Sequence, residues 1–207
     1  MASEPELLEA WRNGDRDAGA KLFEQYYGTV RRFFINKADD AAEDLIQQTF
    51  AACLAGRERF ENRSGFRAYL LGIARNLLRK HWQSRRVRGR KIDIEDVSLA
   101  ELGAGPSTLL SRNRAHKRLL DALRELPLSE QIVLELYYWE NLSGAELGRV
   151  LEVPEDTARS RLRRAKLNLG KVFRRLERFS GAPESSDENL ENWARAIHRL
   201  ASDDAEP

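Results

Sequence analysis

The stretch that decides the fold runs from residue 143 to residue 166 and reads SGAELGRVLEVPEDTARSRLRRAK. It opens with Ser143 followed three positions later by Glu146, the signature of a capped helix N-terminus. Apolar residues then recur at helical spacing on both sides of a short turn, where Pro154 can begin a second helix without losing a hydrogen bond. We therefore predict a helix-turn-helix whose two helices approach most closely at Gly148.

The second of these helices carries a basic face. Ala158, Leu162 and Ala165 mark its buried side, and arginines occupy the positions between them. An arginine-rich helix can enter a major groove, where arginine reads guanine edges and holds phosphates. The sequence favours a helix that contacts duplex DNA, although a basic helical hairpin in another kind of bundle would show the same spacing.

Composition narrows the remaining function classes. The chain has 207 residues, a net charge of +2 and 33% charged residues, which fits two small globular domains. The single cysteine, Cys53, excludes a disulfide framework, and the three histidines are too far apart in sequence to predict a metal site. No apolar run is long enough to cross a bilayer, and the first residues lack a basic start and an apolar run. We expect a cytoplasmic protein without metal or cofactor.

Helical periodicity continues along almost the whole chain, so the predicted fold is all-α. Ser3 and Glu6 form a second capping signature, and an apolar stripe follows from Ala18 to Phe34. A further helix is predicted to open at Asp40, with Asp44, Gln47 and Gln48 on its outer face, and another from Phe66 to about Arg85. A polar loop with one aromatic residue, Phe60, separates these last two helices.

Two stretches of the chain are strongly basic. One contains no acid from Arg75 to Lys91, and the other lies between Arg159 and Arg178. Concentrated positive charge suits a polyphosphate backbone, since each neutralised phosphate releases counterions. A solvated helix face would explain either stretch alone, but two stretches in separate segments favour a nucleic-acid partner.

A change of composition divides the chain. We predict an N-terminal domain at 1–91, a flexible linker at 92–111, a second helical domain at 112–180 and an acidic tail at 181–207. In the second domain a leucine stripe is ended by Pro127, and Ser129 is predicted to cap the next helix. Apolar residues in the tail are spaced for a short amphipathic helix, which could cover a basic DNA-binding face or simply solubilise the chain.

Three motifs in fixed order identify a resemblance. They are AEDLIQQTF at 42–50, FRAYLLGIARNL at 66–77 and the stretch from Leu142 to Lys166. The chain resembles bacterial RNA polymerase sigma factors of the extracytoplasmic-function (ECF) group over roughly residues 15–178. The resemblance implies two helical domains, called sigma regions 2 and 4, which bind core RNA polymerase and direct promoter recognition, DNA melting and transcription initiation at a specific regulon.

The resemblance also implies roles for individual residues. The surface for core polymerase would comprise Asp44, Leu45, Gln47 and Gln48, which the residues alone would present as a solvated helix face. Minus-10 DNA, melted to single strands, would be bound by Phe60, Asn62, Arg63, Ser64, Arg75, Asn76, Lys80, Arg85 and Arg86. Duplex minus-35 DNA would be read by Thr157, Arg159, Ser160, Arg161, Arg163, Arg164 and Lys166. An anti-sigma factor is a further partner that the family often has.

Several positions depart from the family pattern. Gln48 stands where an acid is usual, and Glu152 stands where glycine is common, so the backbone of Glu152 would have to tolerate strain. Asp156 replaces a frequent glycine near a helix N-terminus, where the helix dipole favours an acid. Trp82 is predicted to pack in the core rather than to stack on a base.

Two other functions remain open from the residues. A helix-turn-helix activator or repressor could use the same C-terminal helices on a palindrome, but it would need neither a single-strand track nor a polymerase-binding face. An enzyme is disfavoured, because the sequence has no glycine-rich phosphate loop, no metal cluster and no nucleophile with a base partner. We therefore predict no catalytic residues.

Overall fold

The computed structural model describes residues 2–35, 37–60, 65–87, 90–101 and 114–180. Eight α-helices lie in these ranges: α1 Glu4–Arg12, α2 Arg16–Ile35, α3 Ala42–Ala55, α4 Phe66–Ser84, α5 Arg114–Glu125, α6 Leu128–Tyr138, α7 Gly144–Leu151 and α8 Glu155–Ser180. Short 3₁₀ turns at Asp39–Ala41 and Arg57–Arg59 flank α3. Two-residue strands, β1 Arg86–Val87 and β2 Arg90–Lys91, pair antiparallel after α4. The predicted all-α class is confirmed, with this small hairpin as an addition.

The N-terminal unit consists of α1 to α4 and the hairpin. As predicted, Ser3 caps α1: the Ser3 backbone N–H donates to the Glu6 carboxylate at 2.7 Å. The core of the unit is an aromatic cluster around Trp11, whose ring centroid lies 5.4 Å from that of Phe66 and 6.1 Å from that of Phe60. Edge-to-face packing of this kind fixes how α1 and α4 approach each other.

The C-terminal unit consists of α5 to α8. The predicted capping box of α7 is present, since the Glu146 N–H donates to Ser143 Oγ at 3.3 Å and the Ser143 N–H donates to the Glu146 carboxylate at 2.8 Å. Gly148 lies where the two helices cross, and a Cβ there would be 2.9 Å from the carbonyl oxygen of Val153. Glu152 ends α7 in the left-handed conformation, with φ 57° and ψ 43°. These positions confirm the predicted helix-turn-helix.

The start of α6 differs from its prediction. Pro127 occupies the N-cap position and α6 begins at Leu128, so Ser129 lies inside the first turn instead of capping it. The backbone N–H of Ser129 donates to the carbonyl of Ile94 at 2.9 Å, and Ser129 is buried. Tertiary contact with the preceding segment, not a side-chain cap, therefore fixes this helix end.

The two units share one hydrophobic core. Helix α4 packs along α7, and Gly72 on α4 brings the backbones together, because a Cβ there would lie 3.9 Å from Val150 Cα. The same core continues into α6 and the helix-turn-helix through Leu128, Ile132, Val133, Leu136, Leu142, Leu147, Val150, Leu151 and Ala158. A second, smaller cluster joins α5, α6 and α8. Helix α6 is therefore buried between the two cores.

The first part of the predicted linker lies in the contact between the units. Residues 92–101 contain no helix, as expected, yet Ile92, Ile94 and Leu99 are buried in the shared core. The N–H of Leu128 donates to the carbonyl of Val97 at 2.9 Å. The remainder of the linker, from residue 102 to 111, and the tail at 181–207 with its predicted helix lie outside the described residues.

Candidate nucleic-acid and polymerase-binding surfaces

The N-terminal half of α8 carries the predicted minus-35 residues. Arg163 is exposed, and it makes none of the hydrogen bonds or ion pairs found among the described residues. Ser160 is exposed too, although its hydroxyl donates to the Thr157 carbonyl at 2.9 Å. Arg159 forms an ion pair with Glu155 one turn earlier, at 2.9 Å from Nε. This surface offers hydrogen-bond donors to a major groove.

Two of the predicted minus-35 residues are bound within the C-terminal unit. Arg164 Nε donates to Glu130 at 3.0 Å, and Asn168 donates to the same carboxylate at 3.0 Å. Lys166 Nζ lies 4.4 Å from the centroid of the Tyr137 ring, a cation–π contact. In this arrangement Arg164 and Lys166 hold α8 against α6, with Arg164 neutralising the buried Glu130.

Arg161 contacts the N-terminal part of the linker. Its Nη1 lies 3.8 Å from the carboxylate of Glu95, and both side chains are about one-third exposed. An arginine predicted to read DNA is thus paired with an acid of the same chain.

The predicted single-strand track has an exposed and a buried part. Lys80 and Arg85 are exposed at the end of α4, where Arg85 lies over the Trp82 ring at 5.3 Å and within 3.6 Å of Asp40. Trp82 itself is buried and donates from Nε1 to the Lys37 carbonyl at 3.0 Å. The prediction that Trp82 packs rather than stacks on a base is confirmed.

Three other predicted minus-10 residues are either buried or hydrogen-bonded to the other unit of the chain. Phe60 is 3% exposed, with its ring 4.9 Å from Tyr69, so it belongs to the core and cannot form an open pocket wall in this conformation. Arg75 is 5% exposed, and burial, followed by the charge of Arg79, lowers its pKa. Asn76 donates from Nδ2 to Glu152 of the opposite unit at 2.7 Å. The part of the chain that the structure describes does not include Asn62, Arg63, Ser64 or the side chain of Arg86.

The predicted polymerase face lies on α3. Asp44, Gln47 and Gln48 are exposed, and Gln48 Nε2 donates to the Asp44 carboxylate at 2.6 Å. This hydrogen bond engages the side-chain amide of Gln48, the residue that stands where the family usually has an acid. Leu45, predicted as part of the surface, instead faces the core and is buried. Leu45 therefore packs in the core beneath the polymerase face and is not part of the exposed surface.

An apolar patch beside this face was not predicted. Tyr27 is 43% exposed and stacks parallel to Phe50 with centroids 6.5 Å apart, and Leu54 is 53% exposed one turn beyond Phe50. Leu54 follows Asp44 and Gln47 at i+10 and i+7, so the helical spacing could have revealed that these residues share one side of α3.

Charged residues at the contact between the units were also missed. Lys37 is fully buried and forms an ion pair with Glu135 of α6, while its Nζ donates to the Phe33 carbonyl at 2.6 Å. Beside it, Glu140 is buried 3.8 Å from Arg32, and burial raises the pKa of Glu140. Sequence separation hid these pairs, because neither partner lies in a motif.

Family models match both units of the chain. Sigma-70 region 2 matches residues 22–97, and Sigma-70, region 4 matches residues 116–169. The sigma factor HrpL of Pseudomonas syringae pv. syringae is 33% identical over 67% of this chain and 78% of its own length. A second relative, the ECF sigma factor BldN of Streptomyces coelicolor, is 32% identical over 81% of this chain, which spans 65% of BldN. The chain belongs to the ECF sigma factors.

Solved structures have the same fold. This sigma factor superposes with a TM-score of 0.57 and 22% identity on RpoE, solved in complex with the anti-sigma factor NepR from Bartonella quintana, over 74% of this chain and 94% of that one. CnrH, solved with the cytosolic domain of CnrY, gives a TM-score of 0.56 at 21% identity, covering 80% of this chain and 94% of that one.

Membership of the family assigns the general function. This sigma factor recognises promoters with its regions 2 and 4 and serves the initiation of transcription by core RNA polymerase. Within the described ranges, none of the helices has the length and apolar character needed to span a membrane.

Proposed function

We propose that this ECF sigma factor binds core polymerase through the exposed side of α3. The polar group of Asp44, Gln47 and Gln48 would supply hydrogen bonds, and the neighbouring Tyr27 and Leu54 would lose their water on binding. Exposed apolar side chains rimmed by polar ones are typical of protein-binding surfaces. Residues 1–91 would act as the domain that carries this face.

The same domain would hold the melted minus-10 strand. Lys80 and Arg85 lie at the end of α4, and the sequence adds further arginines directly after Arg85, a concentration of positive charge that suits a single-stranded backbone. Arg75 and Asn76, with the loop at 61–64, would supply donors for an extruded base. In this proposal Phe60 acts indirectly, because its buried ring anchors the start of that loop against Trp11.

Residues 112–180 would bind duplex minus-35 DNA through α8. The single observation that carries this part is the helix-turn-helix geometry, which leaves Ser160 and Arg163 exposed on the N-terminal half of its second helix. In that position an arginine reaches base edges in a major groove. Arg164 and Lys166, bound to α6, would set the angle of the helix.

We infer that the chain itself is not an enzyme and that polymerase catalyses the formation of RNA bonds. We also propose that the chain acts in the cytoplasm, because polymerase and promoters are there. Of the solved structures with this fold, the sigma factor RpoE is bound to the anti-sigma factor NepR, and CnrH is bound to the cytosolic domain of CnrY. An anti-sigma partner of this chain would fit the same pattern.

Transcription with purified components tests the proposal. Core polymerase plus this chain should start transcripts at discrete sites on genomic DNA, whereas core alone should not. Arg163→Ala should reduce initiation about tenfold at promoters with a matched minus-35 element and have less effect where that element is altered, since one base contact is worth ~1–3 kcal/mol. Lys171→Ala, farther along α8, is the matched control. Failure to bind core, or tight binding of a palindrome by a dimer of the free chain, would instead favour a repressor.

A further inference from the structure

Glu130 is a buried acid that lies outside the three motifs of the sequence. It belongs to the first turn of α6, is 5% exposed, and its backbone N–H donates to the Pro127 carbonyl at 2.9 Å. The helix dipole favours an acid at this end of a helix. A buried carboxylate persists only where hydrogen-bond donors satisfy it, so the donors around Glu130 indicate what it does.

Two residues of α8 donate to the Glu130 carboxylate. Arg164 Nε lies 3.0 Å from Oε1, and Asn168 Nδ2 lies 3.0 Å from each of the two oxygens. Residues at i and i+4 of a helix lie on the same face, about one turn apart. Two attachments one turn apart therefore fix both the rotation of α8 about its axis and its position along that axis.

The rotation of α8 decides which side chains face a bound duplex. Arg163 directly precedes Arg164 and so lies about 100° around the axis from it, on the exposed side together with Ser160. Hydrogen bonds to base edges depend steeply on distance and angle. A change in the rotation of α8 would therefore weaken base contacts by Arg163 while leaving the helix itself folded.

The same carboxylate changes the charge that α8 presents to DNA. The Arg164 side chain is 59% exposed even though its Nε is bound to Glu130. The acid offsets the guanidinium charge, so the pair as a whole is neutral. Because the salt dependence of DNA binding reports the charges that neutralise phosphates, a neutral pair contributes less to it than a free arginine would.

We propose that Glu130 is a positioning residue for recognition of the minus-35 element. Through Arg164 and Asn168 it holds α8 at the rotation that turns Ser160 and Arg163 towards the groove, and it lowers the charge that Arg164 offers to phosphates. The inference rests on the proposed binding of minus-35 DNA by α8. It gives a role in sequence discrimination to Glu130 and Asn168, neither of which belongs to the predicted DNA-binding set.

Two substitutions separate the effect of geometry from the effect of charge. Asn168→Ala removes one attachment of α8 and leaves every charge in place. Glu130→Gln removes the charge but keeps a side-chain oxygen that can accept from both Arg164 and Asn168. Glu125→Gln is the matched control, because Glu125 forms an ion pair with Arg175 that joins α5 to the same helix farther from its N-terminus.

Holoenzyme assembled from core polymerase and each variant provides the measurement. Binding and initiation are compared on two promoters that differ only in the minus-35 element, over a range of salt concentrations. Asn168→Ala should lower the ratio of initiation on the matched promoter to that on the altered one about threefold, since one positioning hydrogen bond is lost. Its salt dependence should not change.

Glu130→Gln should act mainly on the salt dependence. The slope of log affinity against log salt should steepen by about 0.9, the value for one additional phosphate contact on duplex DNA. Adding Arg164→Gln to this variant should return the slope to that of the natural chain, because the charge released is that of Arg164. Glu125→Gln should leave both the ratio and the slope near their natural values.

Opposite results would overturn the inference. An unchanged promoter ratio for Asn168→Ala would do so, and so would an unchanged slope for Glu130→Gln. Equal losses on both promoters that follow a lower midpoint of urea unfolding would mean that the two residues only stabilise the fold, which also contradicts it. If the natural holoenzyme does not distinguish the two promoters at all, the proposed function of α8 is wrong and the inference falls with it.

Discussion

Gly148 shows how a single missing side chain determines the geometry of the DNA-binding motif. The carbonyl oxygen of Val153 and the backbone of Glu155 lie within 3.4 Å of where a Cβ would be. These are backbone atoms, which cannot move aside without changing the angle between α7 and α8. The sequence predicted this close approach because glycine interrupts an otherwise good helix-forming segment at the position where the two helices cross.

Gly148→Ala should therefore destabilise the chain by ~1–3 kcal/mol, the usual range for an overpacked contact. Gly144→Ala is the matched control, since its Cβ would meet mainly the ends of the flexible Arg159 and Glu155 side chains. Urea unfolding followed by circular dichroism measures both. Equal midpoints for the two variants would show that the crossing can relax.

Glu140 makes stability depend on pH. Burial raises its pKa, an effect opposed by Arg32, Arg67 and Lys37 and reinforced by Glu135. A carboxyl with a raised pKa binds its proton more tightly in the folded than in the unfolded chain, so its contribution to the free energy of unfolding falls as pH rises above about 4.5.

Glu140→Gln should remove this contribution. The difference in unfolding free energy between the variant and the natural chain should grow in the variant's favour between about pH 4.5 and neutrality. Glu43→Gln, at an exposed position, controls for the loss of one charge. Chemical denaturation across this pH range provides the measurement, and a constant difference would contradict the assignment.

At the scale of elements, α3 and α6 illustrate what helical spacing can and cannot predict. The buried and exposed sides of α3 followed from its helical spacing, which places Leu45 on the buried side; only the family resemblance assigned Leu45 to the polymerase surface. In α6 the helical spacing indicates one apolar side, formed by Ile132, Val133, Leu136 and Tyr137. The structure buries Leu134 and Tyr138 on the opposite side as well, because α6 lies between two clusters. Apolar residues on two opposite sides bury both of these sides, and the polar residues Glu130 and Glu135 of α6 are buried along with them.

The patch on α3 yields a prediction about polymerase. Leu54→Ser should weaken binding to core polymerase several-fold with little change in stability, since the side chain is already 53% exposed. Leu167→Ser is the matched control on α8, where leucine is 58% exposed away from this face. Fluorescence anisotropy of labelled chain with core polymerase would reveal the difference, and equal affinities would exclude Leu54 from the surface.

For the whole molecule, the boundary between the two sigma regions could be predicted but their contact could not. A change of composition marks residues 92–111 as a linker, and motif order separates the two units. Burial of Ile94 and Leu99, by contrast, depends on the distant α5 and α6, and the pairing of Lys37 with Glu135 joins residues nearly a hundred positions apart. Local patterns contain no information on such contacts.

Because the core runs through both units, the chain should unfold as one cooperative body. Calorimetry is expected to give a single transition whose van't Hoff and calorimetric enthalpies agree. Two resolved transitions would mean that the shared core contributes little. A double variant, Glu95→Gln with Glu152→Gln, changes only the partly exposed contacts of these two acids with Arg161 and Asn76 and should still show one transition.

The left-handed backbone of Glu152 has a further consequence for how such a chain could evolve. Holding a residue with a side chain at φ 57° costs ~1–2 kcal/mol whether the two halves touch or not, whereas the bond from Asn76 exists only when they touch. Glu152→Gly would relieve the cost of the left-handed backbone and would remove the hydrogen bond from Asn76. The two effects oppose each other, so the variant should melt at nearly the same temperature as the natural chain, which thermal melts can test; the position can thus change to glycine without loss of the fold.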